Sequence, residues 1–488
     1  MNTAPVISPV CLIVCLLSMQ CSQIAFSQEE PAGILADLLG ESGAAYSRVD
    51  IPRRAELKGL SDDEKKTLES IIKIHDYPIY VMTFYGDYGF DDFLKIGHPR
   101  SYAARYSEEG CSGFSTLPKK GNKLFGRNFD LSIYPVLVMY TDPPNGYASV
   151  SLNIADSIDR YLDDPSKQNI RDVLEYPYLT LDGMNEYGVA ITPFYIEGEE
   201  VYDPGKININ TFEVKRLVLD YAKNVDEAIK LFGEYNNIES ENTHYHVADA
   251  LGNSAVIEYY DGKVNATRNV ERWQVVTNFM IKGAAPDTFL DVCWRYDTVY
   301  NVLKSSKGVI NRNKAMDMLS SVSVWHVPRG NGRYTYTCWS VIYDITDGHL
   351  DVCPGRQYDV KKHLKLDMVN DLEAVKAQMT PLVMTTAGKL KASLRIKNLS
   401  PRQSKKTFVK FYLSGTKKLR EDAVLIARKR LPFIKAGGKT TVRMENNLPG
   451  GISSGMYYLI GIVDEEGKLN DPQRKNNTVA SLKQLTVN

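Results

Sequence analysis

The cysteine at position 111 is followed along the sequence by charged residues at fixed spacings. The segment EEGCSGFSTLPKKGNKLFGRNFD, residues 108–130, places Arg127 sixteen and Asp130 nineteen positions after Cys111. A thiol attacks carbonyl groups as its thiolate, and an unperturbed cysteine is only slightly ionised at neutral pH, so a nucleophilic cysteine needs a base and a nearby cation. Because Arg127 can supply the cation, the segment indicates a cysteine nucleophile that still lacks a base.

The missing base can come from the chain itself. The sequence has seven histidines, but none sits in a recognisable thiol-protease signature. A cut between Gly110 and Cys111 would create an α-amine beside the thiol, and such an amine has an unperturbed pKa of about 7.7–8.0. Gly110 has no side chain to oppose attack of the thiol on its carbonyl. We therefore predict self-cleavage at this bond, with Asp130 holding the new amine and Arg127 stabilising the thiolate.

Further motifs follow in a fixed order: LDGMNEYGVAI, HYHVADALGNSAVIEYYDG, VVTNF and CWRYD. Together with Cys111 and LFGRNFD, they resemble the choloylglycine hydrolase and penicillin V acylase group of N-terminal-nucleophile (Ntn) hydrolases, across residues 77–355. The group includes acyltransferases, and amidases whose nucleophile follows a propeptide. The resemblance implies an enzyme that hydrolyses C–N bonds in linear amides through an acyl-thioester, with no metal or organic cofactor.

The resemblance also implies catalytic roles for five residues. These are the nucleophile Cys111, the thiol and amine contacts Arg127 and Asp130, the side-chain oxyanion donor Asn278, and the more distant arginine Arg295.

Two more residues enter the predicted substrate and oxyanion set, Asn185 in GMNEYG and Tyr195 ten positions later. Asn185 lies in a turn shared with the family, and the backbone N–H of Tyr195 is the predicted second oxyanion donor. Penicillin V acylases carry Tyr at this second position, whereas bile-salt hydrolases carry Asn. This difference disfavours a bile-salt substrate. The predicted substrate is a linear N-acyl amide such as an acyl-amino acid, with penicillin V or bile-salt conjugates as variants.

Two alternatives stay open: an acyltransferase that uses the same site, and a surface-binding protein with an inactive hydrolase-like body. His244 and His246 share one side of a strand, but two histidines without a third ligand favour packing over metal binding.

The elements that must position these residues are mostly strands. From Cys111 onward most segments alternate with period two, while residues 211–235 show helical spacing with Asn224 as an internal stop and cap. Another helix is predicted near 288–305, an earlier one is capped by Ser61, and residues 77–86 form a strand. Helices laid over sheets predict an α+β fold. The resemblance specifies the four-layer αββα sandwich of Ntn hydrolases, followed by an all-β immunoglobulin-like sandwich.

The predicted domain order has five parts. They are a signal peptide (1–27), a propeptide or small subunit that packs on the catalytic domain (28–110), the Ntn-hydrolase domain (111–368), a helical connector (369–384) and a β-sandwich (385–488). The last part consists of short alternating strands, and its string LRIKNLSPRQSKKTFVKFYLS resembles a CARDB-type immunoglobulin-like module.

The N-terminus predicts export. Residues 6–19 form an apolar run too short to span a membrane comfortably, and Ala25 and Ser27 offer small residues around a cleavage point. We expect a secreted or periplasmic protein, and the bulky Gln20 disfavours a lipid anchor at Cys21. Four cysteines would remain after export, too few for a disulfide framework. Of these, Cys338 and Cys353 either pair or stay buried as thiols.

Charge is balanced overall but not along the chain. Lys+Arg and Asp+Glu both number 59, yet residues 385–488 hold 21 basic and 7 acidic residues. A basic face can contact an anionic surface or glycan, but the absence of interleaved aromatic residues argues against nucleic acid. Beyond the small-molecule amide substrate, this contact and self-association into homo-oligomers are the partners left open.

Overall fold

The computed structural model describes residues 47–48, 57–99, 110–166, 168–330 and 333–488. The chain divides into two compact units between Leu366 and Asp367. The predicted signal peptide, Cys21, and the propeptide residues outside 47–48, 57–99 and Gly110 lie outside the described residues. Within the described part, no helix is both long and apolar enough to cross a membrane.

The first unit is built on two large sheets, with strands numbered here in chain order. The larger sheet contains β1 (Ser47–Arg48), β2 (Ile72–His75), β3 (Ile79–Phe84), β6 (Val136–Thr141), β7 (Ser149–Ile154), β8 (Asp182–Asn185), β9 (Ala190–Tyr195), β12 (Thr243–Ala248), β13 (Ser254–Tyr260) and β14 (Lys263–Arg268), adjacent in that order. The smaller sheet runs β15 (Trp273–Val276), β4 (Gly110–Thr116), β5 (Leu124–Leu131), β17 (Arg333–Asp344), β18 (His349–Pro354) and β19 (Lys362–Lys365), with β16 (Val327–Gly330) on β17. A short parallel pair is formed by β10 (Ile207–Ile209) and β11 (Tyr235–Asn237).

Helices cover both outer faces of these sheets. They are α1 (Asp62–Glu69), α2 (Phe90–Phe93), α3 (Asp156–Asp163), α4 (Thr211–Tyr221), α5 (Val225–Glu234), α6 (Trp294–Ser306) and α7 (Arg312–Ser321), with 3₁₀ turns at Ile170–Leu179, Ser240–Asn242, Pro286–Phe289 and Tyr358–Val360. Helix α4 packs on β8 and β9 of the larger sheet, whereas α6 and α7 pack on β4, β5, β15 and β17 of the smaller one. Since β4 also faces β9, the layers run α, β, β, α, and the predicted fold is confirmed.

Gly113 shows how closely the two sheets meet near the predicted site. A Cβ atom built on Gly113 would lie 2.6 Å from Cζ of Phe194, closer than real side-chain contacts. Glycine at this place in β4 lets the larger sheet approach the strand that begins with Gly110 and Cys111.

The described part of the predicted propeptide is integrated into the first unit. Strand β3 lies between β2 and β6, and it pairs with β6 in parallel over six residues. The predicted cap is present, because Ser61 and Glu64 form a capping box at the start of α1. The predicted stop and cap at Asn224 is also present, because Asn224 lies between α4 and α5 and caps the N-terminus of α5. The helix predicted near 288–305 begins later, at Trp294.

The second unit is a β-sandwich, as predicted. A three-stranded sheet of β20 (Leu372–Thr380), β22 (Lys389–Asn398) and β25 (Lys439–Asn447) packs with a five-stranded sheet of β21 (Val383–Met384), β27 (Thr478–Val487), β26 (Gly455–Val463), β23 (Thr407–Ser414) and β24 (Val424–Leu431) around one apolar core. A 3₁₀ turn, Arg474–Asn477, precedes the last strand.

The predicted helical connector is wrong. Residues 372–380 form β20, which pairs antiparallel with β22 and turns Leu372, Ala374 and Ala377 into the core. The Glu, Ala and Lys content of this segment favours a helix locally, but pairing with a distant strand and burial of one face override that preference.

Candidate active site

Two adjacent strands position the predicted nucleophile and its first two partners. Strands β4 and β5 pair so that Gly110 lies opposite Asp130, Cys111 opposite Phe129, and Gly113 opposite Arg127. Side chains alternate between the faces of a sheet, so Arg127 and Asp130, three positions apart, lie on opposite faces. We call the face toward the larger sheet the inner face and the face toward α6 and α7 the outer face. Cys111 thus has one charged partner on each face.

The inner face holds a fully buried ion pair. Arg127 Nη2 lies 3.4 Å from Cys111 Sγ, and Nη1 donates to Asp182 Oδ2 at 3.1 Å and to the Leu181 carbonyl at 3.2 Å. Neither side chain of the pair is exposed. Asp182 also accepts from Trp339 Nε1 at 3.2 Å and from the Tyr343 hydroxyl. The guanidinium is therefore fixed beside the sulfur, where it can stabilise a thiolate.

Burial dominates the electrostatics of Asp182. It raises the pKa of this carboxyl above its ordinary value, while Arg127 and the hydrogen bonds from Tyr343 and Trp339 pull the pKa back down. The Arg127 guanidinium also lies over the Phe129 ring at 4.7 Å. Trp339 in turn stacks on Phe129 at 4.2 Å, so aromatic rings surround the inner pair.

The outer face holds a second ion pair that is less enclosed. Arg295 Nη1 donates to Asp130 Oδ2 at 2.9 Å, and Thr337 Oγ1 donates to Asp130 Oδ1 at 2.7 Å. The Arg295 side chain is 12% exposed, whereas Asp130 is fully buried. Burial raises the pKa of Asp130 to about 6, against the lowering influence of Arg295, Thr337 and Arg127.

Asn278 joins the outer pair to the backbone of the nucleophile. Its Oδ1 accepts from the Cys111 backbone N–H at 2.7 Å and from Arg295 Nη2 at 3.1 Å, and its Nδ2 donates to the Tyr195 carbonyl at 2.9 Å. Two donors lie beside Oδ1 of the amide and an acceptor lies beside Nδ2, so these hydrogen bonds fix the orientation of the Asn278 side chain. A side-chain amide carries two N–H groups. The second N–H of Asn278 can therefore serve an oxyanion.

The Tyr195 backbone N–H points the same way as its carbonyl. Ile196 N–H donates to the Asn242 carbonyl across the β9 and β12 ladder, so the preceding residue directs its own polar groups to the other side of the strand. That side is where Asn278 contacts the Tyr195 carbonyl. The structure thus places both predicted oxyanion donors, the Asn278 side-chain amide and the Tyr195 backbone N–H, on the same side of β9.

Gly110 has little room beside the outer pair. A Cβ built on it would lie 3.3 Å from Arg295 Nη1 and 3.5 Å from Asp130 Oδ2. Any larger residue before Cys111 would press on the ion pair that contacts Asn278.

Asn185 is the one predicted site residue that the structure does not bring to Cys111, so its place in the substrate and oxyanion set is wrong. Its side chain is buried, donating to the Leu219 and Ala222 carbonyls and accepting from the Tyr187 and Val189 N–H groups. These four bonds tie the β8–β9 turn to the end of α4, which agrees with the predicted turn.

Sequence reasoning missed Asp182 and Thr337. Asp182 lies within the quoted LDGMNEYG motif, and a buried Arg127 requires a counter-ion, so the motif contained a usable signal. Thr337 had no such signal, because its contact with Asp130 depends on a register shift in β17 between Thr337 and Trp339. Cys338 and Cys353 lie on neighbouring strands as free thiols, and burial raises the pKa of each to about 12.

The fold and site define an Ntn-type αββα architecture, with a cysteine near the start of β4, the strand next to the edge of the smaller sheet. Residues 111–279 match the family model described as linear amide C-N hydrolases, choloylglycine hydrolase family, and residues 369–481 match the CARDB model. These two matches confirm, for both parts of the chain, the family resemblance predicted from the sequence.

Individual relatives are more distant. The uncharacterized protein A284L of Paramecium bursaria Chlorella virus 1 is 35% identical over 101 residues, which cover 18% of this chain and 36% of that protein. A mutant form of conjugated bile acid hydrolase from Clostridium perfringens has a TM-score of 0.40 and 16% identity, covering 52% of this chain and 92% of its own. Penicillin V acylase from Agrobacterium tumefaciens has a TM-score of 0.38 and 19% identity, covering 50% and 83%.

Proposed function

We propose that this protein is an exported, self-cleaving cysteine amidase that hydrolyses the C–N bond of small N-acyl amides through an acyl-thioester on Cys111. One observation carries the proposal: the backbone nitrogen of Cys111, and not only its thiol, lies in the polar centre, 2.7 Å from Asn278 Oδ1. Any buried backbone N–H needs an acceptor, but here the acceptor is a side chain that Arg295 also contacts, and Arg295 pairs with Asp130. This contact places the nitrogen next to the groups that would bind it as an α-amine.

Self-cleavage would convert that nitrogen from amide to amine. The Cys111 thiolate, stabilised by Arg127 at 3.4 Å, attacks the Gly110 carbonyl carbon. The Gly110–Cys111 C–N bond breaks, the nitrogen takes up a proton, and the acyl group of Gly110 passes to sulfur. Water then hydrolyses this thioester, which leaves a carboxylate on Gly110 and an α-amine on Cys111.

Amide turnover would repeat the same steps on a substrate. The α-amine takes the thiol proton, sulfur attacks the substrate carbonyl, and Asn278 Nδ2 with the Tyr195 N–H stabilises the oxyanion; a donor of this kind is worth about 3–4 kcal/mol. The leaving amine receives the proton from the α-amine. Water releases the acyl group, and a second amine in place of water would give acyl transfer instead.

We further propose that the propeptide stays bound after cleavage. Strand β3 is buried between β2 and β6, and the Tyr88 hydroxyl donates to Asp220 Oδ2 at 2.6 Å. His98 Nε2 lies 2.7 Å from Glu213 Oε1. Losing this segment would expose a long edge of the larger sheet, so we expect a two-chain mature protein.

The deciding experiment compares the purified wild type with Cys111→Ala by intact mass and N-terminal sequencing. We expect a wild-type fragment that begins Cys-Ser-Gly-Phe and is absent from the variant. A folded, uncut wild type would refute self-cleavage.

Substrate class is then tested on the cut enzyme with a series of N-acyl amino acids, penicillin V and glycine-conjugated bile salts. Release of free amine by wild type but not by Cys111→Ala supports the amidase. If no member of the series is cleaved, the proposed activity is refuted.

A second function, attachment to an anionic glycan surface, is favoured by the outer face of the three-stranded sheet of the CARDB domain. Register places basic side chains together on that face: Lys376, Lys391, Arg395, Lys397, Lys439 and Arg443, alongside the acids Glu373 and Glu445. A groove of about 560 Å³ on this sheet is lined in part by Lys391, Lys429 and Arg443. We propose that this groove binds anionic polysaccharide by charge.

The test compares two variants of equal charge change. The first replaces Lys391, Lys429 and Arg443 of the groove with Gln. The second does the same at the exposed Lys417, Lys418 and Arg420, which do not line the groove. We expect the first to elute from a dextran sulfate column at clearly lower salt than the second. Equal elution of the two variants would refute a groove-specific site.

A further inference from the structure

The segment that carries Asn278 is held by a buried acid that contacts no proposed reacting group. Residues 277–282 follow β15, and Glu258 of β13 lies beneath them. Glu258 Oε1 accepts from the Ile281 N–H at 2.6 Å, and its Oε2 accepts from the Lys282 N–H at 2.8 Å. Lys282 has φ 47°, a left-handed conformation that side chains other than glycine rarely adopt. The carboxylate therefore holds a turn that the chain would not favour by itself.

A buried histidine holds the other end of the same segment. His244 Nε2 donates to the Thr277 carbonyl at 2.9 Å, and Nδ1 lies 3.4 Å from Glu258 Oε1. Both side chains are fully buried. Residues on both sides of Asn278 are thus tied to one pair of side chains from the adjacent strands β12 and β13.

Because Glu258 and His244 are buried, they stabilise one conformation of residues 277–282 over others. A buried carboxylate without hydrogen-bond donors is costly, and here the donors are the Ile281 and Lys282 N–H groups. The buried His244 likewise needs the Thr277 carbonyl as the acceptor for its Nε2. If the loop moved, these groups would lose their partners inside the protein. The bonds of Glu258 and His244 therefore favour the conformation in which Asn278 reaches Cys111.

We infer that Glu258 and His244 are positioning residues. They set the separation between Asn278 and the Cys111 nitrogen, and through it the rates of self-cleavage and amide turnover, without touching substrate. The inference rests on the proposed function, because it assigns a cause to the geometry which that function uses. It also gives His244 a role other than packing or metal binding.

The test uses Glu258→Gln, in which an NH₂ group must face one of the two backbone N–H donors. The control is Glu239→Gln, another buried acid that accepts a backbone N–H, from Thr211 at 3.0 Å in a different part of the unit. We expect Glu258→Gln to slow self-cleavage and to lower kcat at least tenfold with little change in KM. The control should stay within about twofold of wild type.

A readout at the thiol separates positioning from general loss of structure. Arg127 and Asp182 lie on the inner face of the strand pair, whereas Asn278 contacts Arg295 of the outer pair. Alkylation of Cys111 by iodoacetamide should therefore keep its wild-type rate in Glu258→Gln. His244→Gln is a second variant, expected to lower kcat in the same way. The ring of His246, two residues along β12, contacts Phe125 at 4.8 Å, so His246→Phe serves as its control.

The outcomes distinguish this inference from the proposed function. An active wild type together with unchanged kcat and self-cleavage in Glu258→Gln and His244→Gln would overturn the positioning role alone. Equal loss of kcat and of iodoacetamide reactivity would also overturn it, since the whole site would then have been disturbed. A wild type that neither cleaves itself nor releases amine would overturn both.

Discussion

The two faces of the strand pair around Cys111 each carry one arginine–aspartate ion pair, and the two ion pairs differ in their exposure to water. On the inner face neither Arg127 nor Asp182 is exposed, and Trp339 and Tyr343 also donate to the acid. On the outer face Arg295 is partly exposed and is shared between Asp130 and Asn278. The inner pair therefore has one fixed arrangement, whereas the outer pair faces the Cys111 nitrogen that the proposed cleavage would convert from an amide to an amine. Stability and catalysis should separate along this division.

The largest effect is expected on the inner face. Asp182→Asn would leave the Arg127 guanidinium buried without its counter-ion, which costs about 3–5 kcal/mol. Urea unfolding measures the loss, and it is done in the Cys111→Ala background because we expect that variant to stay in one chain. The control, Asp156→Asn, breaks a half-exposed helix pair with Arg160 and should cost less than about 1 kcal/mol. Similar losses of unfolding free energy in the two variants would contradict the expected difference between a fully buried and a partly exposed ion pair.

The next effect belongs to the outer face and to rate rather than stability. Asp130→Asn keeps the shape of the side chain and an acceptor for Thr337 but removes the charge that would hold the α-amine. We expect kcat/KM to fall about 100-fold, within the usual range for a group that assists proton transfer. The unfolding free energy at neutral pH should not fall, because a neutral amide avoids the cost of burying charge. Wild-type turnover in this variant would remove Asp130 from the mechanism.

A pH profile separates the same two properties. Because the pKa of Asp130 is raised to about 6, the acid becomes neutral below that pH, and kcat/KM should fall up to tenfold per pH unit. Stability should move in the opposite direction. Between about pH 4 and 6 the folded protein keeps a proton that the unfolded chain has released, so this group's contribution falls with rising pH by up to about 1.4 kcal/mol per unit.

Asp130→Asn is the reference for that profile. The difference in unfolding free energy between the wild type and this variant, both in the Cys111→Ala background, should carry the pH slope, and the acid limb of turnover should be absent from what activity remains. A wild-type limb centred near pH 4 would show that burial does not control this carboxyl group.

The smallest predicted effect refines the outer face. The Thr337 hydroxyl donates to Asp130 at 2.7 Å and thereby stabilises its ionised form. Thr337→Val removes that donor, so the pKa of Asp130 should rise further and the acid limb of kcat/KM should move up by about one pH unit. If the acid limb of kcat/KM did not move, the role of Thr337 would be limited to holding the backbone, since its Oγ1 accepts from the Val324 N–H at 2.8 Å.

Residue spacing in the sequence was enough to predict the parts of this site that strands and caps determine. Cys111, Arg127 and Asp130 come together because two strands joined by a short connection pair locally. Asn278, Arg295 and Tyr195 could be predicted only through the family resemblance, since nothing in their spacing requires contact across 83 to 184 positions of chain. Asn185 was misplaced because its motif position does not reveal which way its amide points. β20 was misassigned because local propensity competes with long-range pairing.

The parallel pairing of β3 with β6 would give the proposed cleavage a thermodynamic consequence. In the uncut protein these strands belong to one molecule, so unfolding is a unimolecular equilibrium whose midpoint does not depend on how much protein is present. Once the Gly110–Cys111 bond is cut, unfolding releases two chains, and the midpoint must rise with protein concentration. The protein would thus mature from a form that can refold by itself at any dilution into one whose integrity depends on its own abundance.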